Sequence, residues 1–176
     1  MAVSCKTAPL PTGLAIWPLV LLAALSMAGP IQAKPQHGQT FEDWTTRCEQ
    51  APGTSTERCF IFQNLVLKES GRRLVHMAVG YLAADGRAAA VITMPLGISL
   101  PAGASISVDG GPPREIVIER CDAGGCVGTV ALIDRLITDL KRGREARISF
   151  HDGSGRRIAV PLSLLGFTAG FHSLDP

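Results

Sequence analysis

The sequence predicts an all-β fold: an antiparallel, β-sandwich-like single domain with one short capping helix and two local disulfides. Asp-Gly pairs recur at Asp85-Gly86, Asp109-Gly110 and Asp152-Gly153, and each separates two segments rich in β-branched or apolar residues. Asp-Gly supplies the positive φ angles that a tight hairpin turn needs. Three such signals in one chain therefore indicate an antiparallel sheet built from hairpins.

The segments beside these turns alternate between apolar and polar residues, which is the period of a half-buried strand. Leu74–Leu82 and Ala88–Met94 form the first predicted hairpin, and Pro112-Pro113 lengthens the connection in the second. The apolar residues that carry the pattern are Val75, Met77, Val79, Tyr81, Ile106, Val108, Ile116, Ile118, Ile148, Phe150, Ile158, Val160 and Leu162.

One segment has the period of a helix instead. Lys141 and Arg142 would complement the C-terminal dipole of this helix, and Gly143 would end it. We expect it to cap an open end of the β core, with partner binding as the alternative. Its apolar stripe follows the spacing i, i+3, i+4, i+7: Ile133, Leu136, Ile137 and Leu140.

The C-terminal tail carries a second cluster of apolar residues. Residues 166–171 contain two phenylalanines, and Leu174 follows. We expect a final turn that packs on the same core. The alternative is that both phenylalanines are exposed for a partner.

Residues 1–33 have the composition of an export signal. Lys6 precedes an apolar run of about 15 residues, where a membrane-spanning helix needs roughly 20. Small residues allow cleavage after Ala28 or after Ala33, and the polar sequence that begins at Lys34 favours Ala33. A retained membrane anchor is the alternative. Residues 34–40 would be a short polar linker.

Residues 41–176 would then form the β domain, with four cysteines, since Cys5 leaves with the signal. In an oxidising compartment such cysteines form disulfides, and three pairings are formally possible. The local pairing is favoured, because each bridge then closes a hairpin-like turn and contributes about 2–3 kcal/mol. The spacings suit neither zinc knuckles nor a redox dithiol. The four residues are Cys48, Cys59, Cys121 and Cys126.

Composition and motifs nominate no catalytic group, cofactor or metal site. The net charge of +2 gives no argument for nucleic acid. The arginine clusters fall at predicted turns, where they read as a solvated rim or, alternatively, as a basic patch for an anionic surface. Ser154 lacks the spacing of a nucleophile elbow. The isolated histidines, His76, His151 and His172, are expected to be ordinary sheet or surface residues.

The chain resembles the invasion-associated locus B family of exported bacterial proteins. The resemblance extends over residues 41–174 and includes the order of the four cysteines. It implies a β-sandwich-like domain, a periplasmic or outer-membrane-associated location with possible peripheral association, and a role in host-cell contact in some members. The motif residues are Phe41, Asp43, Trp44, Pro95, Leu96, Gly97, Leu100, Pro101, Gly103, Gly166 and Phe167.

Residues 95–103 also permit a physical interpretation. Two prolines and two glycines prevent a continuous ladder strand, yet Leu96, Ile98 and Leu100 are apolar. We expect a loop that buries these three side chains; an exposed apolar loop that contacts a partner is the alternative.

The functional hypothesis is a non-enzymatic, exported interaction module that binds a protein or cell-surface partner. A small-ligand carrier and an envelope enzyme with an unrecognised site are the other candidates. The sequence leaves the partner's identity and the oligomeric state open.

Overall fold

The computed structural model describes residues 35–174, apart from 51, 52, 54, 83 and 84. The predicted signal, residues 1–33, lies outside the described residues. Within them the chain forms strands β1 (Thr40–Phe41), β2 (Trp44–Gln50), β3 (Glu57–Val66), β4 (Arg73–Tyr81), β5 (Ala88–Met94), β6 (Ala104–Val108), β7 (Arg114–Asp122), β8 (Gly125–Ala131), β9 (Glu145–His151) and β10 (Arg157–Ser163). Two helices complete the fold: α1 (Asp134–Arg142) and α2 (Phe167–Ser173).

The strands form one antiparallel sheet in the order β1-β2-β3-β4-β5-β8-β7-β6-β9-β10. Strand β7 belongs to both halves of this sheet: Arg114 and Ile116 pair with β6, whereas Val117–Asp122 pair with β8. The sheet therefore curls at β7. Its first half, β1-β2-β3-β4-β5-β8-β7, and its second half, β7-β6-β9-β10, enclose one core. The predicted antiparallel, sandwich-like all-β class is confirmed.

All three predicted hairpins are present, as β4–β5, β6–β7 and β9–β10. Only Asp109-Gly110 has positive φ at both residues, 46° and 74°. In the third hairpin the left-handed residue is Gly155, with φ 82°, and Asp152 accepts the turn's hydrogen bonds. The Asp-Gly pairs thus located the turns correctly but did not specify one turn geometry.

The predicted helix is confirmed as α1, with Leu136 and Leu140 buried in the core. The prediction for Ile133 is wrong: this residue precedes the helix at its N-cap and is 52% exposed. The C-terminal turn is also confirmed, as α2. Its phenylalanines, Phe167 and Phe171, are buried, so the alternative of an exposed aromatic tail is wrong.

Both disulfides follow the local pairing. Cys48 in β2 is the cross-strand neighbour of Cys59 in β3. Cys121 and Cys126 stand opposite each other where β7 turns into β8. Each bridge therefore clamps a pair of adjacent antiparallel strands beside their connection.

Candidate interaction surface

The segment Pro95–Gly103, called here the proline–glycine loop, leaves the sheet after β5 and has a fixed conformation. The Ser99 N–H donates to the carbonyl oxygen of His151 at 2.8 Å, and Ile98 forms an isolated antiparallel bridge with Asp152. A 3₁₀ turn over Leu100–Ala102 follows, closed by the Gly103 N–H on the Leu100 carbonyl at 3.0 Å. The loop is thereby fastened to the β9–β10 hairpin.

This loop exposes two leucines. Leu96 is 57% exposed and Leu100 is 53% exposed, whereas Ile98 between them packs against the core. The expectation that all three side chains are buried is therefore wrong for both leucines. The bridge from Ile98 to Asp152 fixes the middle of the loop against the sheet, so the residues on either side of it face outward.

Asp152 holds the hairpin that supports the loop. Its carboxylate accepts hydrogen bonds from the Ser154 hydroxyl at 2.6 Å and from the Arg156 N–H at 3.0 Å. The Arg156 guanidinium forms an ion pair with it at 3.0 Å. These contacts, the Ser154 hydroxyl first, lower the pKa of Asp152 from 3.8 to about 2. The carboxylate is therefore ionised through the whole physiological pH range.

A hollow of about 360 Å³, lined by both polar and apolar residues, adjoins the loop on its C-terminal side. The loop residues Pro101–Gly103 line it together with Ser149, His151 and Arg157. Arg157 donates to the Ser149 hydroxyl at 3.1 Å and forms no ion pair in the described part of the chain. Arg114 and Glu115 also line the hollow, so two guanidinium groups and one carboxylate surround it next to Pro101, the residue after Leu100.

The second disulfide stands at the start of the same loop. Cys126 is the cross-strand neighbour of Met94, the residue before Pro95. Gly125, with φ 130°, lies so close to Met94 that a Cβ there would overlap the Met94 carbonyl oxygen. The Cys121–Cys126 turn can therefore approach the end of β5 only because residue 125 is glycine.

The remaining family-motif residues come together elsewhere and have structural contacts. The indole of Trp44 packs edge-to-face on Phe167 with ring centroids 5.2 Å apart. Phe41 lies against Gly166 so closely that a Cβ on Gly166 would overlap the Phe41 carbonyl oxygen. The Asp43 carbonyl accepts from the Gln63 side chain at 3.0 Å. This cluster joins the beginning and the end of the domain.

Gln63 is the residue that the sequence reasoning missed. The residue is 8% exposed, and its side-chain amide contacts β10, 100 residues further along the chain. Its only signal in the sequence was a polar side chain at an inward position of the most apolar strand. The hollow formed by Ser149, His151 and Arg157 was missed as well, because these residues lie on two strands of the sheet's second half.

The isolated histidines do not converge on a site. His76 lies on β4, His151 ends β9 and His172 lies in α2. Among the described residues, no three His, Cys, Asp or Glu side chains are placed to share a metal ion. Within the same residues, neither helix has the length and apolar character to cross a bilayer.

Comparison with known proteins places this architecture in a family. The model of the invasion-associated locus B (IalB) protein family matches residues 44–175. Because this match covers well over half of the chain, the protein belongs to the IalB family.

Individual relatives agree with this assignment. The invasion protein B homolog of Brucella abortus (strain 2308) is 26% identical over 138 residues, 78% of this chain and 78% of that protein. The homolog from B. abortus biovar 1 (strain 9-941) has the same identity and coverage. The crystal structure of invasion-associated protein B from Bartonella henselae shares the fold, with a TM-score of 0.69 at 24% identity. It covers 77% of this chain and 92% of its own.

Proposed function

We propose that this protein is an exported, non-enzymatic interaction module of the cell envelope, which contacts a macromolecular partner through the proline–glycine loop. The observation that carries the proposal is the exposure of Leu96 and Leu100 on a loop fixed at Ile98 and Ser99. Exposed apolar side chains on a rigid support are a common feature of binding surfaces, because little conformational entropy is lost on binding.

The hollow beside the loop would form the second part of the proposed binding surface. A partner that covers the leucines would bring its own polar groups over Arg157 and His151. An acidic or otherwise anionic group beside an apolar patch would complement this arrangement in both charge and hydrophobicity. The hollow therefore favours specificity, while the leucines supply the buried apolar area.

Two considerations support the location outside the cytoplasm. Structural disulfides persist in oxidising compartments, and this domain has two of them. Residues 1–33 have the composition of an export signal. The relatives are named invasion protein B homologs, which favours a host-cell surface as the place of the partner.

The proposal is tested by the binding of the purified protein to isolated bacterial envelopes and, separately, to host cells. The double variant Leu96→Ser with Leu100→Ser should lose most of the binding. The matched control is Leu165→Ser, because Leu165 is 60% exposed but lies outside the loop. Equal binding by the two variants would contradict the proposal, as would equal binding of a heat-denatured sample.

A further inference from the structure

The outer face of the sheet's first half has a cross-strand row that carries no charged residue and is apolar at four of its six positions. Residues on this face point away from the core, and none of the row's members belongs to the core cluster or packs against it. Val117 is 60% exposed, and the others are partly exposed. The row crosses β2, β3, β4, β5, β8 and β7 through direct register partners: Thr45, Phe62, Ala78, Val91, Thr129 and Val117.

The flanking rows are also uncharged over the central strands. From β3 to β8, one row contains Phe60, Gly80, Ala89 and Ala131, and the other contains Asn64, His76, Thr93 and Val127. Burial, reinforced by the positive charges of nearby arginines, lowers the pKa of His76, so its imidazole is neutral at pH 7. With strands about 4.8 Å apart, these three rows extend for about 14 Å across β3, β4, β5 and β8 without a formal charge, and Arg73 of β4 and Arg47 of β2 lie at their margin.

We propose that a second copy of this chain covers this outer face, with a two-fold axis that runs parallel to the strands between β4 and β5. Two-fold symmetry requires a surface that complements itself. This axis exchanges β4 with β5, β3 with β8, and β2 with β7, and it keeps each residue in its own row. The register of the sheet therefore determines which residues face each other.

The resulting pairs match larger side chains with smaller ones. Phe62 lies opposite Thr129 of the second copy, and Val91 lies opposite its Ala78. In the flanking row, Phe60 lies opposite Ala131. Because bulky residues meet small ones, two such faces can interdigitate as the inner faces of a sandwich do. The sheet curls, so the central strands approach each other most closely.

The charged residues at the two edges of this face, on β2 and β7, also fit the proposed two-fold axis. Arg47 on β2 occupies the same row as Glu115 on β7, by continuation of the β7–β8 register. The axis therefore brings Arg47 of one copy, which also pairs with Glu49 of its own chain at 2.6 Å, towards Glu115 of the other, twice per dimer. Such exposed pairs add little affinity, but they favour this register over others.

The test is sedimentation velocity of the protein expressed from its full gene, at about 1 to about 300 μM, the range suited to an interface of modest area. The wild type should form a concentration-dependent dimer. Ala78→Arg should raise the dimer dissociation constant by at least about a hundredfold, because two unpaired guanidinium groups would enter one apolar interface. The matched control, Ala159→Arg on the exposed edge strand β10, should dimerise like the wild type.

A charge exchange tests the axis itself without disturbing the apolar face. Glu115→Arg should weaken the dimer, and the double variant Arg47→Glu with Glu115→Arg should restore part of the loss. A wild type that stays monomeric over the whole concentration range would overturn the proposal. So would equal dimerisation of the correctly folded Ala78→Arg and Ala159→Arg variants. The Leu96→Ser, Leu100→Ser variant should dimerise normally, which separates this interface from the partner surface.

Discussion

The side-chain amide of Gln63 pairs with the backbone of Ser163 as a neighbouring strand would. Gln63 Oε1 accepts the Ser163 N–H at 3.1 Å, and Gln63 Nε2 donates to the Ser163 carbonyl at 3.2 Å. Trp44 donates its indole N–H to the same carbonyl at 3.1 Å. These contacts join β3 to β10 across the open side of the curled sheet, so two side chains take the place of strand pairing.

We expect Gln63→Leu to destabilise the domain by about 2–3 kcal/mol, because it leaves the partly buried polar groups of Ser163 without their amide partner. The measurement is the free energy of unfolding in urea. Gln50→Leu, at an exposed position of β2, is the control and should change stability by less than about 0.5 kcal/mol. Equal effects of the two substitutions would show that the amide bridge contributes nothing.

Gly166→Ala should cost about 3 kcal/mol or more, because it combines a left-handed residue with an overlap on the Phe41 carbonyl. Gly155→Ala is the matched control. Gly155 has φ 82°, close to the 84° of Gly166, but no atom lies within 4 Å of its Cβ position. It should lose only about 1–2 kcal/mol, the cost of the left-handed conformation. The difference in stability between the two variants, measured by thermal unfolding, gives the energetic contribution of the close contact between Gly166 and the Phe41 carbonyl.

Removal of either disulfide should destabilise the domain, and the effect should be larger for the bridge that closes the longer loop. On the chain-entropy model, loss of Cys48–Cys59, with its sequence separation of 11, should cost about 2.7 kcal/mol. Loss of Cys121–Cys126, separated by 5, should cost about 2 kcal/mol. Paired Cys→Ala variants and unfolding with and without reductant measure both effects. Free thiols at all four positions in the protein isolated from the bacterial cell would contradict the proposed location outside the cytoplasm.

The β9–β10 turn at Asp152, to which the proline–glycine loop is fastened, should become less stable in strong acid. The folded-state pKa of Asp152 is about 2, below its ordinary 3.8, so its stabilising contribution is fully present above about pH 4 and is lost as pH falls through 2. Amide hydrogen exchange of Ser154 and Arg156 should therefore gain protection between pH 2 and pH 4, relative to the intrinsic rates. Asp152→Asn should abolish this step. If the gain of protection between pH 2 and pH 4 persists in this variant, another carboxyl group causes it.

Local patterns predicted the parts of this fold that depend on neighbouring residues. Asp109-Gly110 adopts the expected turn, and Leu136 and Leu140 are buried at helical spacing. The pattern failed for Ile133, because the β8–α1 connection ends one residue later than the apolar stripe suggests. Helix boundaries depend on where the preceding strand releases the chain, which the stripe does not encode.

The candidate surface depends on tertiary contacts that no local pattern contains. Leu96 and Leu100 are exposed because Ile98 bridges to Asp152, 54 positions further along the chain. The outer face requires the strand order β5-β8-β7, which places Val91, Thr129 and Val117 side by side. The motif residues of the loop were identified from the family resemblance, but their exposure follows only from the folded structure.

The most direct test of the central claim is photo-crosslinking in living bacteria. A photoreactive amino acid at position 96 should capture a partner, and a second one at position 100 should capture the same molecule. The matched position is 165, where Leu165 is equally exposed but lies outside the loop. A partner captured at 96 and 100 but not at 165 is the predicted result. The same products with equal yield at all three positions, or no product at 96 and 100, would contradict the account.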